Sequence, residues 1–436
     1  MTATRLEKYY AGILAGIFGL IVLHAPISVG FGVLWSNYDL LIKSWKEILM
    51  IVAVVMALII VTRRGLWRRF LSDPLFYVIA AYGLLHGVLA VALYQGVPST
   101  LAGMAIDLRY VLFFCLVYVL LQAVPRYRRL LVCVGIIGAF IVTGFAALQW
   151  FLPPDILRVI GYGSDSIAPY LTVDENQDYV RINSTLRGPN PLGAYASVVV
   201  ALLAAAWARG AVVTQKSAIG AGILAVCGSM ALWQSYSRSA WLAAGIAVVI
   251  VFVVAWNKRF TRATWAALLV VALVLGGTLV AARDSSLVSN VFLHENPSGG
   301  SEINSNEQHA ESLENGFARM IRQPFGGGIG STGSASLYGD DPVIIENQYL
   351  FVAHETGWLG LGLFVALFVG VLRRAWQARR DWLALGVFAS GVALGVIGLF
   401  QPVWVDDTVA IVWWGLAAIV LAKGGRNERT TKQKTA

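Results

Sequence analysis

The stretch SYSRSAW, residues 235–241, separates two apolar runs, 218–234 and 240–256. A membrane-crossing helix needs roughly 17–25 predominantly apolar residues, so each run is long enough to span a bilayer. Seven residues between two such runs predict a tight helical hairpin at a membrane surface. They also raise a question, because an arginine, Arg238, stands in the middle among serines and aromatics.

The same pattern repeats along the chain. Further apolar runs lie near 10–33, 42–61, 74–94, 106–123, 130–152, 190–208, 263–282, 347–371, 382–400 and 406–422. The first is too long for a signal-peptide core and has no clear cleavage site, so it counts as a span. Of the 436 residues, 58% are hydrophobic and 13% charged, where a soluble domain has about 25% charged. Mean hydropathy is +0.69. The expected fold is an all-α polytopic membrane protein of about twelve transmembrane helices, one bundle over 1–436. Cys115, Cys133 and Cys227 all sit inside apolar runs, with no metal-site spacing, and read as small core residues. No histidine pattern or paired-carboxylate motif points to a metal, and no cofactor is expected.

Charge orients the chain. Alternate connections read TRRGLWRRF, PRYRRL, NKRFTR and RRAWQARR, and the tail reads KGGRNERTTKQK. With Arg5, Lys8, Arg209 and Lys216 they hold about 23 of the 33 Lys and Arg. By the positive-inside rule these segments, and both termini, face the cytoplasm. The net charge of +9 is then a membrane-surface signature and calls for no nucleic acid. SYSRSAW falls on the outer face, where Arg238 is one of few basic residues.

Two outer connections are long, 153–189 and 283–346, the second between helices nine and ten. Both are expected to cap the bundle. Within the larger, SNEQHAESLENGFARMIRQP opens with Ser305 and Gln308 at capping-box spacing and closes at Pro324. On a helix, His309, Ser312, Leu313, Phe317 and Met320 lie on or beside one face. Glu307, Glu311 and Glu314 lie towards the other. Such an amphipathic helix lies on the bundle or at the membrane interface, with His309 either a packing residue or part of a site. PFGGGIGSTG follows. Gly328, Gly330 and Gly333 fit GxGxxG in form, but no strand precedes them and dinucleotide is not expected outside the cell. The glycines either permit a tight turn or offer backbone N–H groups to a phosphate or sugar.

Three outer stretches put polar groups beside spans: INSTLRGPNPLGAYA with Arg187 and Asn190, SYSRSAW with Arg238, and IIENQYLFVAHETGWLG with Glu346, Asn347, His354 and Glu355. An ionisable group near apolar depth costs about 2.5–3.5 kcal/mol on insertion scales, so it tends to face a cavity and mark a site. The simpler reading of each arginine is snorkelling to headgroups. Two guanidinium groups at this surface suit a diphosphate, which they grip in bidentate fashion. A nearby carboxylate or imidazole could take a proton from a sugar hydroxyl. Together they suggest glycan transfer from a lipid diphosphate.

In RGPNPLGAY, YSRSAW, RQPFGGGIGSTG and ENQYLFVAHETGWLG, in that order over about 180–370, the chain resembles the O-antigen ligase and O-antigen (exopolysaccharide) polymerase superfamily of bacterial inner-membrane proteins. The resemblance implies a metal-independent glycosyltransferase of the GT-C type at the outer face of the inner membrane. Its donor would be an undecaprenyl-diphosphate-linked oligosaccharide and its other substrate an acceptor glycan. A chain-length regulator and a repeat-unit flippase are the expected partners, besides membrane lipid. It maps essential arginines onto Arg187 and Arg238. Glu346 and His309 are the other catalytic candidates. Asn190, Arg319, Gly328, Gly330, Asn347, Tyr349 and Glu355 are the substrate-binding ones. One departure stands out: ligases of the family carry histidine before the asparagine of HN-x-x-L, whereas this chain has Glu346 before Asn347. The arrangement is more similar to the polymerases, so chain extension is favoured over transfer to lipid A core. A flippase or transporter of an anionic sugar, or a non-catalytic envelope scaffold, is the reading from other classes.

Overall fold

A computed structural model describes residues 3–256, 270, 274, 276–278, 280–293, 305–339 and 341–432, with backbone alone for 305–308 and 423–432. The span expected at 263–282 falls largely outside these residues, as do the side chains of the capping box at Ser305 and Gln308. Among the described residues nine helical segments are long and apolar enough to cross a membrane, and two further apolar helices are shorter. The other eleven expected runs each coincide with one of them. The chain is a mostly helical, multi-pass membrane protein.

The first span is broken. Helix α1 (Arg5–Leu20) passes through one 3-10 turn at Ile21–Leu23 into α2 (His24–Leu34). There follow α3 (Trp45–Arg63), α4 (Pro74–Ala92), α5 (Val97–Ala123) and α6 (Tyr127–Gln149), then α7 (Pro189–Ala208), α8 (Gln215–Gln234) and α9 (Arg238–Trp256). The helix of the long connection is α10 (Ser305–Arg322), and α11 (Gln348–Gln377), α12 (Trp382–Ile397) and α13 (Asp407–Lys432) complete the bundle. Helix ends are fixed by local chemistry. Thr4 and Glu7 form a reciprocal capping box on α1, and Asp73 caps α4 ahead of Pro74 at the first turn. Glu7 also takes Arg64 at 2.7 Å, and Asp73 takes Arg374, so capping carboxylates double as ion-pair partners between spans.

Helix α7 packs on α8, α9 and α12, and α5 packs on α13. Their shared interior is aromatic: Trp413, Trp414, Phe113, Phe114, Phe18 and Phe364 are fully buried, with the Trp413 and Trp414 rings 5.3 Å apart and edge to face. Large apolar residues such as Ile51, Val55, Leu84 and Val91 are exposed instead, the surface a lipid-facing helix presents.

The bundle is helical, as expected of an all-α membrane protein, with one small addition outside it. The connection before α7 holds an antiparallel hairpin, β1 (Tyr170–Val173) and β2 (Asn176–Ile182), with Leu171 opposite Arg181. Val180 and Ile182 are β-branched and alternate with polar or aromatic neighbours, which favours a half-buried strand over a helix.

Candidate functional site

The two arginine-bearing stretches meet because α7 and α9 approach closely. A Cβ placed on Gly193 would stand 2.8 Å from both Ala240 Cβ and Ser235 Oγ, so only glycine lets the start of α7 seat against the SYSRSAW hairpin. The aromatics of that hairpin hold its shape. Trp233 and Trp241 stack at 5.2 Å, and Trp241 Nε1 donates to Leu232 O at 2.7 Å. Tyr236 adopts a left-handed backbone, φ 44°, which turns the chain sharply before Arg238 opens α9. Ser237 N donates to Ser235 Oγ at 3.2 Å. The serines and aromatics of the stretch thus serve to aim one guanidinium.

That guanidinium faces a cavity of about 820 Å³. One wall is basic: Arg187, Arg238 and, from β2, Arg181, with Asn190 beside them. Arg181 Nη2 donates to Asn190 Oδ1 at 2.6 Å and its Nε to Ser235 O at 2.9 Å, tying strand, α7 and hairpin together. Burial draws Arg181 down to about 10, which leaves it charged at neutral pH. Arg238 Nη1 donates to Phe292 O at 3.2 Å.

A second wall carries His309 of α10 and Glu346, which precedes α11. His309 Nδ1 lies 2.5 Å from Glu346 Oε2, each side chain 43% exposed. Ser312, one turn further along α10, accepts from Glu346 N at 3.1 Å. The hydrogen bond from His309 holds the Glu346 carboxyl below its ordinary range, against the opposing effect of burial. The third wall is the turn between α12 and α13, with Phe400, Gln401, Val405 and Asp406. Asp406 accepts from Val409 N at 2.9 Å, and burial pushes its carboxyl up. Behind it, Asp407 holds His24 and Lys46 at 2.9 Å each and also pairs with Arg109. Arg109 donates in turn to Val405 O, so a buried ionic cluster braces this wall from within the bundle.

Of the site residues expected from the sequence, Arg187, Arg238, His309, Glu346 and Asn190 line one cavity. Six others lie elsewhere. Asn347 caps α11, its Oδ1 accepting from Tyr349 N and Leu350 N, while its Nδ2 donates to Leu399 O at 2.8 Å. Tyr349 Oη donates to Gly395 O at 2.8 Å. Arg319 sits in the last turn of α10, away from the cavity lining. Glu355 is buried, and its Oε1 accepts from Gly330 N at 3.1 Å and Thr332 N at 3.4 Å. Gly328 N donates to Glu355 O at 3.1 Å. The amides of Gly328 and Gly330 are therefore held by the protein's own oxygens, and both residues have positive φ, the tight-turn use of glycine. A Cβ on Gly330 would run into the Ser99 carbonyl.

The helical wheel also needs correcting. The face of α10 against the bundle is Ser312, Gly316 and Met320: a Cβ on Gly316 would meet Leu350 at 3.0 Å, and Met320 packs on the core. Leu313 and Phe317 are exposed. Arg181, Gln401 and Asp406 were not singled out from the sequence. The alternation in β2 was the available signal for Arg181, whereas Asp406 was absorbed into the start of an apolar run.

No curated protein matches the chain. Residues 223–365 match the family model described as O-antigen ligase, a stretch that takes in Arg238, His309 and Glu346, and this match supports the resemblance to the O-antigen ligase and polymerase superfamily.

Proposed function

We propose that the protein is a polymerase of lipid-linked polysaccharide repeats, joining a glycan from undecaprenyl diphosphate to a sugar hydroxyl at the outer face of the bacterial inner membrane. The observation that carries this reading is the His309–Glu346 pair facing Arg187 and Arg238 across one cavity. The guanidinium groups grip the donor diphosphate. The Glu346 carboxylate orients His309, whose outer ring nitrogen takes the proton of the acceptor hydroxyl. A bond forms between that oxygen and the donor's anomeric carbon as the carbon–oxygen bond to the diphosphate breaks, and the arginines stabilise the charge that develops on the leaving group. A polyprenyl diphosphate needs no nucleotide, which fits an extracytoplasmic site.

Polymerisation is favoured over ligation because Glu346 occupies the position where the ligases carry histidine, and the imidazole comes from α10 instead. Purified protein given polyprenyl-diphosphate-linked repeats, with and without lipid A core, tests this. A ladder of longer glycans without lipid A core is the expected result. Single transfer to lipid A core would replace polymerase by ligase, and translocation without a new glycosidic bond would remove the enzyme reading altogether.

A further inference from the structure

Helix α10 has three distinct sides. Taking the Ser312–Gly316–Met320 line as the side against the bundle, Leu313, Phe317 and Ile321 follow one residue later, about 100° around the axis. On the opposite flank stand Glu311, Asn315 and Arg322, with Glu314 pointing away from the bundle between the two flanks, all exposed. The apolar side is also uncovered: Phe317 is 53% exposed, Ile321 54%, and Phe325, just past the helix, 82%. A helix packed on a soluble domain would show water a polar surface on both free sides.

What continues this apolar side identifies its partner. Trp358 Nε1 of α11 donates to Met320 O at 2.8 Å, and Trp358 N donates to Pro324 O at 2.9 Å. Trp358 and Leu359 are themselves exposed, on a helix long and apolar enough to be a span. The stripe from Phe317 to Phe325 therefore runs into the lipid-facing surface of α11 at a tryptophan, the residue enriched where hydrocarbon meets headgroups. We propose that α10 is an interfacial helix. It lies along the bundle with Phe317, Ile321 and Phe325 among the acyl chains of the leaflet on the cavity side, and with Glu311 and Asn315 in water. Arg322, in the last turn, reaches back to lipid phosphates. This holds whatever reaction the cavity performs. It also fixes His309 at headgroup depth.

The test uses full-length protein in lipid nanodiscs, with Cys115, Cys133 and Cys227 replaced by alanine and one spin label at a time at position 317, 321, 325, 311 or 315. Collision with molecular oxygen, which partitions into lipid, is compared with collision with a water-soluble nickel chelate. The expected oxygen-to-nickel ratio is several-fold higher at 317, 321 and 325 than at 311 and 315. Equal ratios at all five would place the stripe in water and overturn the proposal. Low access to both reagents at 317, 321 and 325 would mean protein covers the stripe, and would overturn it too. Should Phe317→Cys fail to reach the membrane, Ile321→Cys and Phe325→Cys decide the outcome by themselves.

Discussion

His309 and Glu346 are 37 positions apart in sequence and 2.5 Å apart in space, and the contact joins a loop helix to the mouth of a span. If the imidazole takes the acceptor proton, His309→Ala should slow chain extension by about 10²–10⁴-fold, the range for loss of a general base. Glu346→Gln should cost distinctly less, since the amide still positions the ring. Single-turnover extension with a defined lipid-linked repeat measures both. The reverse ranking would make the carboxylate the base.

The basic wall predicts a difference between charge and shape. Arg238→Ala and Arg187→Ala should each weaken binding of a short-chain polyprenyl diphosphate by roughly 10–100-fold, the value of about 1.5–3 kcal/mol for a hydrogen bond to a charged group. Arg238→Lys should recover little, because a point charge does not reproduce the guanidinium fork. Titration calorimetry in detergent gives the affinities. Undiminished binding in the alanine variants would return these arginines to headgroup anchoring.

Arg181 acts through its neighbours, since it bonds Asn190 and Ser235. Arg181→Lys keeps a charge but can satisfy only one of those contacts well. It should lower the rate of transfer more than donor affinity, the mark of misplaced groups. Equal loss in both would show instead that Arg181 binds the donor directly.

Glu355 makes a stability prediction. Glu355→Ala leaves the buried amides of Gly330 and Thr332 without their acceptor, at about 1–3 kcal/mol for an unsatisfied group. Glu355→Gln retains a carbonyl oxygen and should lose less. Gly330→Ala should be at least as damaging as Glu355→Ala, since its φ of +84° is strained for any side chain. Thermal unfolding in detergent ranks the three.

Orientation is open to direct labelling. Ser164, exposed in the connection before β1, and Lys216, exposed at the start of α8, should lie on opposite sides of the membrane. In a background without the native cysteines, Ser164→Cys should react with an impermeant thiol reagent in intact spheroplasts. Lys216→Cys should react only after lysis. The opposite pattern would invert the bundle and move the cavity to the cytoplasm.

The spans were legible because hydrophobic run length acts locally: α8 and α9 fall almost where the apolar runs 218–234 and 240–256 lie. Arg187, Arg238, His309 and Glu346 were legible as polar groups next to apolar stretches, where burial makes them costly. Their convergence was not. The His309–Glu346 contact depends on how α10 packs through Gly316, and a helical wheel alone ranks Leu313 and Phe317 as equally good core residues. Arg181 escaped notice because a seven-residue strand within a long polar connection gives a weak periodic signal. Asn347, Tyr349 and Glu355 looked like ligand-binding groups since polar residues at a helix start serve equally well as caps and clamps.

The three walls of the cavity come from separate stretches: Arg181–Arg238, His309–Glu346 and Phe400–Asp406. The last of these is a short turn between two helices, braced from behind by the Asp407 cluster and tied to the start of α11, where Trp404 N donates to Gln348 Oε1 at 2.8 Å. Trp404 and Val405 are part of that framework, Trp404 buried among the core aromatics, whereas Phe400 is 47% exposed and, with Gln401, only lines the cavity. On the proposed reading, a lineage of such proteins could retune which sugar it admits by rewriting Phe400 and Gln401, with the rest of the cavity inherited intact.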